Sequence, residues 1–129
     1  VAVAVAEYGK TNYRKYSSNS DAWCVDYVYW CANKAGLVIP GKKTSSTRAL
    51  KTNYKNASRY IAWNAKVAIH KGDIIITKGH TAIVRDVDAN NIYTIEGNWS
   101  NKVNKRTLKR SIQGNKYYTI EGFGLNSYY

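Results

Sequence analysis

The spacing of apolar positions changes near Gly72 and divides the chain into a helical half and a strand half. Between Ser20 and Gly36, Cys24, Val28, Cys31 and Ala35 recur at the i, i+4, i+7, i+11 spacing of one helix face. Ser20 or Asp21 is suited to cap the first turn, and Gly36 to end the helix. Cys24 is thereby expected in the first turn, on the face turned towards the rest of the fold. A second, more polar helix is predicted from about Ser46 to Asn56. The Val/Ala alternation of Val1–Ala6 also suits a strand, but a short helix is the preferred reading. Residues 57–71 carry no period and read as irregular, with Trp63 as an anchor.

After Lys71-Gly72 the pattern is that of strands. Asp73-Ile74-Ile75-Ile76-Thr77 is a short apolar run suited to a buried strand. His80–Val87 and Asn91–Asn98 follow, joined by Asp88-Ala89-Asn90, a three-residue loop in which Asn90 tolerates a left-handed backbone. That loop pairs Arg85 with Tyr93, Ile83 with Ile95, Ala82 with Glu96 and His80 with Asn98. Since side chains alternate between faces, His80, Ala82, Glu96 and Asn98 are expected on one face. Two further strands are predicted at about Thr107–Ile112 and Tyr117–Phe123. Helices first and then an antiparallel meander is an α+β order, and with 129 residues and no linker or repeat a single domain over 1–129 is expected.

Charge narrows the partners without choosing one. Lys and Arg number 20 against 8 Asp and Glu, a net +12, and no acid occurs between Tyr27 and Gly72. Such a field gathers polyanions: nucleic acid, anionic lipid headgroups or the anionic polymers of a bacterial wall. No apolar run approaches the ~18 residues of a membrane span, and Val1–Ala6 is too short for the core of a secretion signal. Cys24 and Cys31 on one helix lie roughly 10 Å apart, too far for a disulfide. His70 and His80 stand apart from any cysteine pair of zinc spacing, so no metal site is expected.

A cysteine at a helix start is biased towards thiolate, because backbone N–H groups and the positive end of the dipole favour the anion. A histidine, a carboxylate and an amide on one strand face complete the parts of papain-like acyl transfer. Cys31, deeper in the helix, reads as core, and His70 as a loop residue. Glu96 in an otherwise apolar strand is costly unless partnered. Two rival readings remain open. The Tyr-rich, basic chain, with six cations and no acid in Asn101–Lys116, also fits a nucleic-acid binder. The other, given the resemblance described next, is a non-catalytic wall-binding relative.

Trp23-Cys24-Val25-Asp26-Tyr27-Val28-Tyr29-Trp30-Cys31-Ala32-Asn33-Lys34-Ala35-Gly36 resembles the cysteine-bearing helix of CHAP domains, the cysteine, histidine-dependent amidohydrolase/peptidases. Gly72-Asp73-Ile74-Ile75-Ile76 resembles their Gly-Asp strand signature. Gly79-His80-Thr81-Ala82-Ile83-Val84 and Thr94-Ile95-Glu96-Gly97-Asn98 resemble the histidine and carboxylate strands. The resemblance implies a papain-like α+β fold with Cys24 as nucleophile, His80 as general base, Glu96 orienting the imidazole and Asn98 as a further polar support. It implies cleavage of an amide bond in peptidoglycan, between muramic acid and L-alanine or within the peptides, without a cofactor. The partners implied are peptidoglycan and anionic wall polymers rather than a specific nucleic acid. A secreted or wall-associated monomer is expected, any signal or companion domain lying outside this chain. Some relatives bind calcium through acids just before the cysteine, but Lys15–Asp21 holds only one acid, so no metal is expected there. Trp23, adjoining the nucleophile, is a candidate substrate contact.

Overall fold

The computed structural model describes residues 1–18, 22–64, 66–111 and 119–126. Three α-helices precede the main sheet: α1 (Ala2–Val5), α2 (Cys24–Ala35) and α3 (Thr47–Asn56), with a 3₁₀ turn at Tyr13–Lys15. Six strands follow: β1 (Tyr60–Ala62), β2 (Ile74–Thr77), β3 (His80–Val87), β4 (Asn91–Trp99), β5 (Lys102–Lys109) and β6 (Ile120–Gly124). They form one antiparallel sheet in the order β1-β6-β2-β3-β4-β5. The fold is therefore α+β, as the order of patterns predicts. Among the described residues no helix is long and apolar enough to cross a membrane.

The meander covers only β2 to β5. β6 returns past it to lie between β2 and β1, so the sheet is not the simple meander expected. β1, within the stretch read as irregular, is three residues long and has no alternation of its own; pairing with β6 makes it a strand. Trp63 anchors the following loop by donating from its indole nitrogen to the Arg110 carbonyl at 2.9 Å. β5 begins five residues before the predicted Thr107. Its apolar residues, Val103 and Leu108, are an odd number apart and serve opposite faces, so no alternation marks it. β6 starts at Ile120 rather than Tyr117, and the predicted Tyr117–Tyr118 portion and Ile112 lie outside the described residues.

Local chemistry explains the helix ends. Gly36 takes φ +74 after α2, the left-handed terminator expected. The proposed caps Ser20 and Asp21 lie outside the described residues, and Trp23 holds the N-cap position. Cys24, Tyr27, Val28 and Cys31 are buried against the sheet, whereas Ala35 in the last turn is exposed, so the buried face is shorter than its spacing predicts. Ser46 caps α3 by accepting from the Ala49 N–H at 3.2 Å.

The sheet buries both faces. Ile74, Ile76, Ile83, Ile95 and Val103 meet α2 and its neighbours, and Ile75, Ala82, Val84, Ile92, Leu108 and Phe123 form a second cluster behind the sheet. Asp73 explains the Gly-Asp block: its buried carboxylate accepts the His70 and Asn126 N–H groups at 2.9 and 2.8 Å, while Gly72 turns at φ +94.

Between β3 and β4 the register matches the turn prediction at Ile83↔Ile95 and Val84↔Thr94. A bulge then sets Asp86, not Arg85, opposite Tyr93. Asp88 closes the loop by accepting from the Asn90 and Asn91 N–H groups, which makes a positive φ at Asn90 unnecessary, and none occurs there. Among the described residues the ladder starts at Ile83, so Ala82–Glu96 and His80–Asn98 lie beyond its end.

α2 lies so close to β4 that a Cβ at Gly97 would stand 2.6 Å from the Tyr27 Cβ and 2.9 Å from the Trp23 ring. The absence of a side chain there sets how near the start of α2 comes to the strand. Gly97→Ala is expected to cost roughly 1–3 kcal/mol of unfolding free energy, the usual range for overpacking. Urea denaturation checks it, and a variant as stable as the parent would show slack at this contact.

Candidate active site

The start of α2 and the first residue of β3 meet at one end of the sheet. Cys24 is the first residue of α2, and its side chain is hydrogen-bonded with His80, the first residue of β3. The two are brought together because Gly97 admits α2 and because the two-residue turn Lys78-Gly79 puts His80 opposite Thr77. Gly79 takes φ +75 in that turn, a conformation open to glycine at no steric cost.

Glu96 holds the other side of the imidazole. Its Oε1 lies 2.8 Å from His80 Nε2, which leaves Nδ1 for the thiol. The carboxylate is fully buried and has two further partners. Arg106 Nε donates to Oε1 at 2.8 Å and the Thr94 hydroxyl to Oε2 at 2.5 Å. Strand register explains this cluster. Thr94 stands opposite Arg106 and Glu96 opposite Asn104, so alternation sends Thr94, Glu96 and Arg106 to one face. That face carries the second apolar cluster. The carboxylate therefore sits behind the sheet rather than across the core that α2 covers, and His80, at the strand end, links the two sides.

Sequence reasoning misses Arg106 as a member of this cluster and places Trp99 only as an aromatic that follows Asn98 and could flank a substrate. Arg106 counts there as one of six cations in a basic stretch, yet its guanidinium lies 3.7 Å above the Trp99 ring and pairs with Glu96. The Trp99 ring lies 5.6 Å from that of His80. Trp99 thus covers the His80–Glu96–Arg106 group. The signal that would have found Arg106 is its register with Thr94, available only once β5 is placed.

Each titration follows from these partners. Burial alone would raise the Cys24 thiol. The hydrogen bond and charge of His80, the Thr81 backbone amide and the Thr47 side chain outweigh it, and the thiol lies below its ordinary value. Burial would depress His80, but its hydrogen bonds with Cys24 and Glu96 carry it up to about 9. Glu96 stays below the usual carboxylate range: burial opposes ionisation, and His80 and Arg106 reverse it. For Cys31, in the same helix, burial outweighs a hydrogen bond with Tyr27 and pushes the thiol up to about 12. Two buried thiols on one helix are thus separated into one prone to ionise and one inert.

Other residues set the approach. Asp26, two residues after Cys24, accepts hydrogen bonds from the Ser17 and Ser45 hydroxyls, the latter at 2.6 Å. Ser45 precedes α3, so this bond ties the start of α3 to α2 and brings Thr47 to the thiol. Asn98 sits where β4 and β5 lose register, with φ +59 and a half-buried side chain. The Nε2 position of His80 is taken by Glu96, two residues earlier. Trp23 is corrected: it is 1% exposed and stacks on Tyr16 at 5.6 Å, so it offers substrate no surface. It packs under the site.

Comparison with known proteins bears on this constellation. Residues 15–98 match the family model of the CHAP domain. No curated protein and no solved structure matches the chain. The matched segment is well over half of the chain and contains Cys24, His80 and Glu96. The chain therefore belongs to the CHAP domain family, amidase and peptidase hydrolase domains that act on peptidoglycan.

Proposed function

We propose that this chain hydrolyses an amide bond of bacterial peptidoglycan, as an N-acetylmuramoyl-L-alanine amidase or a peptide endopeptidase, through a thioester on Cys24. The observation that carries the reading is the continuous chain of contacts from the Cys24 thiol through His80 to the buried Glu96 carboxylate and Arg106. A thiol held below its ordinary value beside an imidazole held above its own favours the thiolate–imidazolium pair, the nucleophilic form.

The Cys24 thiolate attacks the amide carbonyl carbon. Negative charge moves to the carbonyl oxygen, where the Cys24 backbone N–H at the start of α2 is a donor free of intrahelical bonding. Imidazolium donates its proton to the departing nitrogen as the C–N bond breaks, releasing the amine and leaving the thioester. Neutral His80 then takes a proton from water, hydroxide adds to the thioester, and collapse returns the thiolate with a carboxylic acid as second product. Glu96 keeps the ring oriented and favours its cation; Arg106 and Thr94 keep that carboxylate ionised despite its burial. Asn98, beside the bulge, would support this group. Electrostatic attraction of the +12 chain to anionic wall polymers would hold it at its substrate, outside the cell or on the wall. Against the nucleic-acid alternative, Arg106 of the basic stretch is turned inward onto Glu96.

Cys24→Ala should reduce release of free amino groups from purified peptidoglycan by at least roughly 10³-fold, with circular dichroism unchanged; undiminished release would reject the thioester mechanism.

The rate should follow a bell in pH. It rises as the pair forms and falls as His80 loses its proton near its value of about 9. In Glu96→Gln the imidazolium loses a counter-charge, so the alkaline limb should move to lower pH and kcat should fall. An alkaline limb that stays in place would transfer the orienting role from Glu96 to Asn98.

A further inference from the structure

A cleft of about 400 Å³ is lined by Thr47, Arg48, Lys51, Lys78, Gly79 and Glu121. Two of these join it to the reacting centre. The Thr47 side chain reaches the Cys24 thiol, and Gly79 immediately precedes His80. One wall is the start of α3 and the other is the turn between β2 and β3. Gly79 leaves the passage between them open, since a Cβ there would meet nothing within 4 Å.

The charges on these walls are uneven. Each wall sets a cation directly beside the residue that touches the centre: Arg48 beside Thr47, and Lys78 beside Gly79. Lys51 is already engaged, with its Nζ 3.2 Å from Glu121 Oε1 and 5.5 Å from the Tyr60 ring centroid. Among the described residues Arg48 and Lys78 have no carboxylate partner, and both are exposed. The remaining acid of the centre, Glu96, is neutralised by His80 and Arg106 on the far side of the sheet. The start of α3 adds partial positive charge to the same wall. A neutral sugar gains little from such walls, whereas a carboxylate gains two charge-assisted partners.

We infer that this cleft is the substrate's carboxylate subsite: it takes a peptide segment bearing a free carboxylate next to the scissile amide, held between Arg48 and Lys78. The inference rests on the hydrolase reading for the identity of the scissile bond, and it assigns specificity to the peptide side of that bond. A stem peptide whose carboxylates are amidated would lose both cation contacts and bind more weakly.

The test separates binding from turnover by using the non-hydrolysing Cys24→Ala chain. Titration calorimetry and amide NMR would compare the tetrapeptide L-Ala-γ-D-Glu-L-Lys-D-Ala with the same peptide carrying carboxamides. The free-acid peptide should bind about tenfold tighter, the equivalent of one charge-assisted hydrogen bond. It should shift the Thr47, Lys78 and Gly79 amides, and the preference should vanish in Cys24→Ala with Arg48→Gln and Lys78→Gln added. Equal binding of the two peptides, or a preference that survives the added substitutions, would overturn the subsite. Tighter binding of glycerol phosphate than of the free-acid peptide at the same amides would reassign the cleft to wall-polymer phosphate and overturn it as well. Should the preference hold while the parent chain releases no amine from peptidoglycan, the subsite stands and the hydrolase reading alone fails.

Discussion

A carboxylate without water must be surrounded by donors or it will not stay charged, and this requirement at Glu96 organises the site. Glu96 is fully buried, and the chain answers with three partners drawn from three strands: His80 from β3, Thr94 from β4 itself and Arg106 from β5. Each lies on the face opposite the helices, and each is there because antiparallel register and side-chain alternation leave no other direction. The result is an anion held rigidly behind an imidazole. Together with the Cys24 thiol it carries a buried histidine above its ordinary value, and that histidine in turn holds the thiol below its own.

The helices supply the other half by close approach. α2 begins at Cys24, and only a strand without a side chain at Gly97 admits it so near. Asp26 then draws the segment before α3 inward through Ser45, which carries Thr47 to the thiol. Two helix starts thus converge on the sulfur, one covalently and one through a side chain. The same convergence creates the cationic cleft, because Arg48 follows Thr47 and Lys78 precedes Gly79. The centre and its approach are in this sense one construction.

Burial divides the two cysteines and the tryptophans into unlike roles. Cys31 lies seven positions further along the helix than Cys24, away from the imidazole, and remains a core thiol. Trp23, beside Cys24 in sequence, is sealed under the site, while Trp99, far from it in sequence, covers the histidine and Arg106. Adjacency along the chain misleads for the former because the Trp23 ring is packed between Tyr16 and Gly97 and leaves no surface open.

Short-range physics settled much of this from the residues alone. The period of α2 with Gly36 at its end, the polar α3, the apolar run of β2, and the Asp88–Asn90 turn are all properties of segments a dozen residues long. From that turn follow the Ile83↔Ile95 register and the shared face of His80 and Glu96. Cys24, His80, Glu96 and Asn98 were legible as candidates for the same reason, together with the resemblance that the family match now supports. What only the tertiary structure decided are pairings with no local signature: β1, which exists because β6 returns beside it, and β5, whose two apolar residues serve opposite faces. It also decided the fate of Arg106, because a cation reads as solvated until a buried anion is set opposite it. That placement depends on strand register, which a bulge or one residue of slip would reverse.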